Sequence, residues 1–536
     1  MNVSLFVIFN RRIASKPIFF YLCENNFKIL IMRKLLMPFR LFLLIFLCGN
    51  FTISAYPKKR EFRGAWIATV ANIDWPSNVA ASTEAKKQEL IQILDSLRKC
   101  KVNAVIFQIR PTADALYKSS IEPWSEWLTG QQGSEPYPYF DPLELVVEEA
   151  HKRCMEVHAW INPYRVTNFK NYKLVPDHIY FQKPYLFKEY GGRIYFDPGL
   201  EETGDYLIKV LQDIVSRYDV DALHLDDYFY PYPAGGWDFP DEETYQSNPR
   251  GFTRKTDWRR DNVNRIVQRI QDSVKSLKPW VEFGVSPFGV WRNMNKDSKG
   301  SATQAGVTNY DDLYADVILW ADSGWVDYLA PQLYWEIGKK VADYAVLAPW
   351  WQDNVKNCKL YFGLYASGLE VNKPKVWKTP NELIRQLRFN EECITNDGVI
   401  YYSTKYFLKN IQGLQDSLRT QFYTNHSLPP QSIRGMESEA HFPVNLQLDT
   451  LDCLSWDAVH ADGGEAISYY VVYAFPDSLE CDFDNPDYIL EITPNTKVQL
   501  SDYPFLNNSI YCITVTAVNR YRKESDPYEF VVRTKK

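Results

Sequence analysis

The stretch VDALHLDDYFYP, Val220–Pro231, decides how the rest of the chain is read. It begins as an apolar strand and ends in two adjacent carboxylates, Asp226 and Asp227, followed by aromatics and proline. Side chains on a strand alternate between its two faces. If Leu223 and Leu225 pack outward under helices, His224 and Asp226 point inward. That is the pattern of a strand in a closed parallel barrel, whose reactive groups gather at the C-terminal strand ends.

Working outward, seven further segments read as strands: 63–70, 102–110, 156–165, 281–288, 326–335, 359–367 and 398–404. Amphipathic helical stretches lie between them at 83–99, 142–154, 201–218, 258–277 and 380–395. Strands alternating with crossover helices predict parallel pairing. Eight such units predict an α/β chain with a (β/α)8 TIM barrel over 56–425. An open doubly wound sheet is the alternative, but no glycine-rich phosphate loop follows the first strand. After a linker at 426–440, short alternating strands without helices fill 441–536, a small all-β sandwich domain. No chemistry is assigned to it, and a protein or glycan partner is the expectation.

Residues 1–55 read as an N-terminal extension and signal peptide. From Met32, the better start, a basic segment with Arg33, Lys34 and Arg40 precedes an apolar run and the small residue Ala55. Export to the periplasm or cell envelope follows. Cys48 is a candidate lipid anchor, which would make the chain an outer-membrane lipoprotein, although bulky Leu47 precedes it. No later run is long enough to span a membrane.

Without residues 1–55 the chain keeps 53 basic and 65 acidic groups, a net charge of −12. Such a balance disfavours nucleic acid, whose binding depends on neutralising phosphates. Seven scattered cysteines remain, with no CxxC spacing. They indicate neither a zinc site nor a dense disulfide framework. Cys453 and Cys512 fall on strands of the sandwich but alternate with its apolar residues, so both are expected to face outward. Aromatics make up 15% of the chain, enough to line a cleft that stacks on sugar rings as well as to build a core.

Strand alternation gives the candidate site. It sends Arg110, Asn162, Tyr164, His224 and Asp226 inward, with Arg165 at the rim. On the sixth strand Gln332, Tyr334 and Glu336 share a face at or beyond the strand end, beside Trp335. Two facing carboxylates are what glycosidic cleavage requires, one protonated to donate to the leaving oxygen and one to stabilise, attack or activate water. Asp226 is the expected nucleophile or electrostatic stabiliser and Glu336 the general acid. Asp227 is a supporting or alternative carboxylate. The remaining eight residues, Arg110, Asn162, Tyr164, Arg165, His224, Gln332, Tyr334 and Trp335, are assigned to sugar binding.

A metal-dependent hydrolase is the enzymatic alternative, since adjacent aspartates hold hard cations, but neither HxH nor HExxH occurs. No cofactor is expected, and no GxSxG elbow appears. The alternative from another class is a non-catalytic glycan-binding protein using the same cleft.

Several motifs together carry a resemblance. EFRGAWIATVANIDWPS (61–77), VIFQIRPTADALYKSSIEPWSEWLTG (105–130), AWINPYRV (159–166), LHLDDYFYPYP (223–233), GVSPFGVWRN (284–293) and LAPQLYW (329–335) resemble the glycosyl hydrolase-like 10 family. Formerly a bacterial domain of unknown function, it includes a divisome-associated glycosidase acting on denuded peptidoglycan glycans. The resemblance implies a TIM-barrel glycosidase of the cell envelope, functional aspartates on strand four and a peptide-free peptidoglycan substrate. The strand around Trp456 and the run 511–519 resemble a fibronectin type III domain.

Overall fold

The structure is a computed structural model that describes residues 58–534, apart from 170–171, 371–374, 378–380, 436 and 478–479. The expected signal segment, the Met32 start and the Cys48 anchor lie outside the described residues.

Eight parallel strands close into a barrel. They are β1 (Phe62–Ile67), β2 (Ala104–Arg110), β3 (Glu156–Ile161), β4 (Ala222–Leu225), β5 (Glu282–Val285), β6 (Tyr328–Leu329), β7 (Lys359–Tyr365) and β8 (Gly398–Tyr402). Closure comes from β1, which pairs with β2 at Gly64–Ala104 and with β8 at Phe62–Gly398. The expected alternation holds on each side of the sheet. Val105, Phe107, Leu223 and Leu225 join the outer core under the helices. Ala104, Ile106, Trp160 and Ala222 fill the interior with Phe62, Trp66, Tyr328 and Tyr361.

Helices cover the barrel as their apolar stripes require. In α1 (Thr83–Lys99) the Ser82 side chain caps the first turn by accepting from Ala85 N, 3.2 Å. In α2 (Glu201–Arg217) Leu207, Val210, Leu211 and Ile214 recur at helical spacing and are buried, while Glu201 and Glu202 complement the N-terminal end of the dipole.

Two features depart from regular strands, and both shape the mouth. β6 has only two residues, against ten expected, because Pro331 has no N–H for the ladder; beyond it Gln332 makes single bridges to Phe288 and Gly363. Between Gln108 and Arg110 the pairing of β2 with β3 slips at a bulge. A bulge inserts one residue and exchanges the faces of those that follow.

The C-terminal module holds two antiparallel sheets. One orders β9 (Gln447–Leu448), β10 (Cys453–Ser455) and β13 (Lys497–Gln499); the other runs β12 (Ile489–Thr493), β11 (Tyr469–Pro476), β14 (Tyr511–Val518), β15 (Phe530–Arg533). Cys453 and Cys512 are both half-buried and unbonded to each other.

Strand β11 is buried on both faces. Tyr470, Val472 and Ala474 join the core between the sheets. Tyr469, Val471, Tyr473 and Phe475 pack the other way, with Leu428 and with Cys154 of the barrel. The module is therefore seated on the barrel's N-terminal end. Arg520 pairs there with Asp219, and Arg434 Nε reaches Asp327 Oδ1 at 2.6 Å.

Candidate active site

At the C-terminal end of β4, Asp226 and Asp227 are both nearly buried, each 3% exposed. They lean to opposite sides of the mouth. Oδ2 of Asp226 accepts from Trp160 Nε1 at 3.2 Å and from Asn162 Nδ2, both at the end of β3. Asp227 accepts from Tyr232 Oη and is hydrogen-bonded by Gln332, beyond β6.

The orientation of Asn162 is determined by its neighbours. Its Oδ1 accepts from Gln108 Nε2 and Arg165 Nη2, each at 2.7 Å, so its amide N–H groups must face Asp226. Gln108 is held in turn because its Oε1 accepts from the backbone of Thr69 and Val70, at 3.0 and 2.9 Å. Two strands and the loop after β1 thus converge on one carboxylate oxygen. The other oxygen, Oδ1 of Asp226, is buried and has no partner at hydrogen-bond geometry, while the Tyr228 backbone N–H acts on the carboxyl from nearby and lowers its pKa.

Burial pushes the Asp226 carboxyl up to about 7, with Arg165 opposing and Asp227 adding to the rise. Burial raises Asp227 to about 6, against the lowering effect of Tyr232 and its own backbone. A buried carboxyl poised near neutrality can carry a proton and give it up.

Glu336 lies in a different setting. Its carboxylate accepts from Trp377 Nε1 at 2.9 Å and lies 3.3 Å from Lys339 Nζ. Burial alone would raise it, but these partners outweigh burial and hold it below the usual glutamate value.

The remaining predicted residues divide into those that reach the mouth and those that do not. Tyr334 is half-buried and stacks on Tyr365 and Tyr402, with ring centroids 5.1 and 5.7 Å apart. Trp335 meets Phe288 edge-on at 5.4 Å, and Arg165 lies over the Tyr228 ring at 5.0 Å. These half-buried rings make an aromatic rim suited to sugar faces.

Arg110 is fully buried and forks onto Glu122 at 2.6 and 2.7 Å, because the bulge in β2 turns it away from the axis. Tyr164 lies beyond the end of β3, in the outer core. His224 does point inward but is wholly buried below Asp226. Tyr232, Tyr365, Trp377 and Tyr402 were not singled out from the sequence. Tyr365 and Tyr402 end β7 and β8, so the strand-end rule reaches them once it is applied to strands lacking acids.

Among the described residues no group of three or more His, Cys, Asp or Glu side chains is arranged to hold a metal ion, and no helix is long and apolar enough to cross a membrane.

A model of the glycosyl hydrolase-like 10 family matches residues 61–379, a span that contains the barrel through β7 and every residue described at the mouth except Tyr402. The chain belongs to this family. Among curated relatives, glycosyl hydrolase YngK of Bacillus subtilis strain 168 is 46% identical over 400 residues, covering 73% of this chain and 78% of the relative. Glycosyl hydrolase DigH of Escherichia coli strain K12 is 39% identical over 374 residues, covering 65% and 84%. Of the solved structures, the PgaB (BpsB) glycoside hydrolase domain from Bordetella bronchiseptica aligns with 68% of this chain and 99% of that one, at 12% identity and a TM-score of 0.42. Family membership and the named relatives make this chain a glycoside hydrolase.

Proposed function

We propose that this glycoside hydrolase cleaves peptide-free peptidoglycan strands in the cell envelope, with Asp226 as proton donor and Asp227 as the partner carboxylate. The observation that carries the assignment is the asymmetry of Asp226. One oxygen is loaded by Asn162 and Trp160, while the other is buried, unpaired and part of a carboxyl raised to about 7. The proton is therefore assigned to Oδ1, and once substrate seats against that oxygen it passes to the glycosidic oxygen as the bond to the anomeric carbon breaks. Asp227, ionised above about 6, then faces the developing positive charge of the sugar or takes a proton from water.

This gives Asp226 the acid role expected of Glu336 and passes the role expected of Asp226 to Asp227. A carboxylate held low by Trp377 and Lys339 is a poor proton donor and a good anion, so Glu336 fits a polar contact at the rim. The peptide-free substrate and the envelope location rest on the family resemblance and on the signal-like start of the chain. The aromatic rim and the chain's negative charge are consistent with a glycan lacking acidic peptides. We likewise infer a fibronectin type III-like module at the C-terminus, supported by its three- and four-stranded sheets.

Incubation with peptide-free glycan strands, followed by mass spectrometry of the products, tests the reading. Shorter fragments from the wild type and none from Asp226→Asn are expected. Binding without fragmentation would support a lectin instead, and full activity in Asp226→Asn would remove Asp226 from the chemistry.

A further inference from the structure

Beneath the two aspartates, side chains run down the barrel axis in one continuous hydrogen-bonded chain. His224 Nε2 lies 2.9 Å from Ser286 Oγ and accepts from Trp66 Nε1 at 3.3 Å. His224 Nδ1 is 2.9 Å from Tyr328 Oη, which is 2.8 Å from His158 Nδ1. His158 Nε2 is 3.1 Å from Glu156 Oε2, at the N-terminal end of β3. There the chain leaves the barrel. Arg522, from the turn between β14 and β15 of the C-terminal module, forks onto Glu156 through Nε and Nη2 and lies 2.7 Å from Glu282 through Nη1.

With both histidines neutral, the donors and acceptors permit only one proton order. An indole N–H only donates, so His224 Nε2 must carry a lone pair and His224 Nδ1 the hydrogen. Tyr328 Oη then accepts from His224 and gives its own hydrogen to His158 Nδ1. His158 keeps its hydrogen on Nε2 and donates to Glu156. The lower end demands the same order independently, since an ionised carboxylate only accepts. It is ionised because Arg522 is there.

The surroundings make Arg522 indispensable to that charge state. Glu156 and Glu282 are both buried at the barrel floor, where Lys359 Nζ reaches Glu282 at 2.7 Å. With Arg522 the two carboxylates meet two cations. Without it one negative charge is uncompensated in a dry site, and such a group takes up a proton. A proton on Glu156 would donate to His158 and reverse every link above it. His224 would then present an N–H to the N–H of Trp66. Arg522 is held for this task in a left-handed backbone conformation, φ 61°, which non-glycine residues adopt at a cost.

We propose that the C-terminal module is a positioning element of the catalytic barrel: Arg522, inserted through the barrel floor, fixes the proton order of the Glu156–His158–Tyr328–His224 chain and so presents a neutral His224, lone pair upward, beneath Asp226. The catalytic part of this inference rests on the reading of Asp226 as proton donor. Nε2 itself contacts Trp66 and Ser286 rather than Asp226, but Asp226 follows two residues on, on the same inward face, so the imidazole dipole acts on the carboxyl through space: a lone pair on that side favours the protonated form and an N–H the carboxylate. Reversal of the chain therefore lowers the pH at which Asp226 loses its proton and leaves less of the protonated donor near neutrality.

The full chain, with both modules, is compared as wild type, Arg522→Gln and Arg522→Lys. The readouts are cleavage of peptide-free glycan strands across pH, thermal stability, and long-range proton–nitrogen NMR of 15N-labelled histidine, with the His224 signals identified from His224→Gln. The wild type should show His224 unprotonated at Nε2. Arg522→Gln should show it protonated, lose about tenfold or more in kcat with KM within about twofold, and move the falling limb of its pH profile to lower pH. Arg522→Lys should restore the wild-type nitrogen signal and limb.

The groups that set the limb are Arg165, Asp227 and Tyr228 around Asp226. Those facing the axis are Glu156 and His158 on β3, Glu282 on β5, Tyr328 on β6, Lys359 and Tyr361 on β7, and Arg522. All but Arg522 are common to the three proteins. Wild-type tautomer and pH profile in Arg522→Gln, with only stability lowered, would overturn the inference. So would a protonated His224 Nε2 in the wild type, which decides the matter even if Arg522→Gln does not fold. Absence of glycan cleavage by the wild type would defeat the proton-donor reading alone, leaving the nitrogen signals to judge the axis.

Discussion

At the scale of single residues, a carboxyl that stays protonated near neutrality must be shielded from water, and this shielding works against the fold. Asp226 is raised to about 7 by burial from an ordinary value of 3.8. The folded state binds its proton more tightly than the unfolded chain does. This contribution is fully present below pH 4 and is lost as pH rises through about 7. Asp226→Asn is therefore expected to raise the melting temperature at pH 8 and much less at pH 5, by about 2–4 kcal/mol at the higher pH, while abolishing hydrolysis. Thermal melts at the two pH values check the sign. In the wild type, activity should rise as Asp227 ionises near 6 and fall as Asp226 ionises near 7, with the two limbs belonging to the coupled pair. Arg110 shows the limit of reading residues singly. Its inward assignment followed from strict alternation, which the bulge at Gln108–Arg110 interrupts. Removing one partner of its fully buried pair with Glu122 leaves a bare charge, so Arg110→Ala should cost about 3–5 kcal/mol in denaturant unfolding, a loss of stability rather than of sugar affinity alone.

At the scale of elements, the barrel was legible because each strand carries its own period-two pattern between turn or helix signals. The expected 83–99 and 201–218 helices coincide with α1 and α2 to within a residue. Prolines explain where strands stop short, as at Pro331 after β6 and Pro163 after β3. The filling of the interior was much less legible, because it depends on which residue across the sheet is small. Gly284 on β5 is covered by the Tyr328 ring from β6; a Cβ there would meet the ring at 2.0 Å. Gly363 on β7 likewise leaves room for Trp66, 3.1 Å from its would-be Cβ. These glycines let two aromatic side chains lie across the axis and hold His224. Gly284→Ala should displace Tyr328 and break its hydrogen bonds to both histidines, lowering stability by about 1–3 kcal/mol and activity with it. A melt and a turnover measurement on the same preparation check this.

At the scale of the whole molecule, the C-terminal module differs from a spacer in how its central strand is buried. An antiparallel strand with one wet face alternates apolar and polar residues, but YYVVYAF (469–475) is apolar throughout. Such a run signals a second covered face. In the structure Tyr469, Val471, Tyr473 and Phe475 meet Leu428 and the barrel, while Tyr470, Val472 and Ala474 face the sandwich core. Each large apolar side chain so buried contributes about 1.5–3 kcal/mol. Cutting the chain after residue 434 would strip this cover and also remove Arg520 and Arg522 from Asp219, Glu156 and Glu282. The uncovered barrel floor would combine an apolar patch with two neighbouring carboxylates, of which only Glu282 keeps a cation, Lys359. The barrel expressed alone is therefore expected to aggregate or to melt well below the intact protein. Replacing Glu156 and Glu282 by glutamine in the truncated chain should recover part of the loss, because the uncompensated charge is gone while the bare apolar surface remains. Thermal scans of the three chains separate the two contributions: the recovery measures the charge, and the residual deficit measures the lost apolar contact. Equal melting temperatures for intact and truncated chains would mean that the module is only tethered to the barrel.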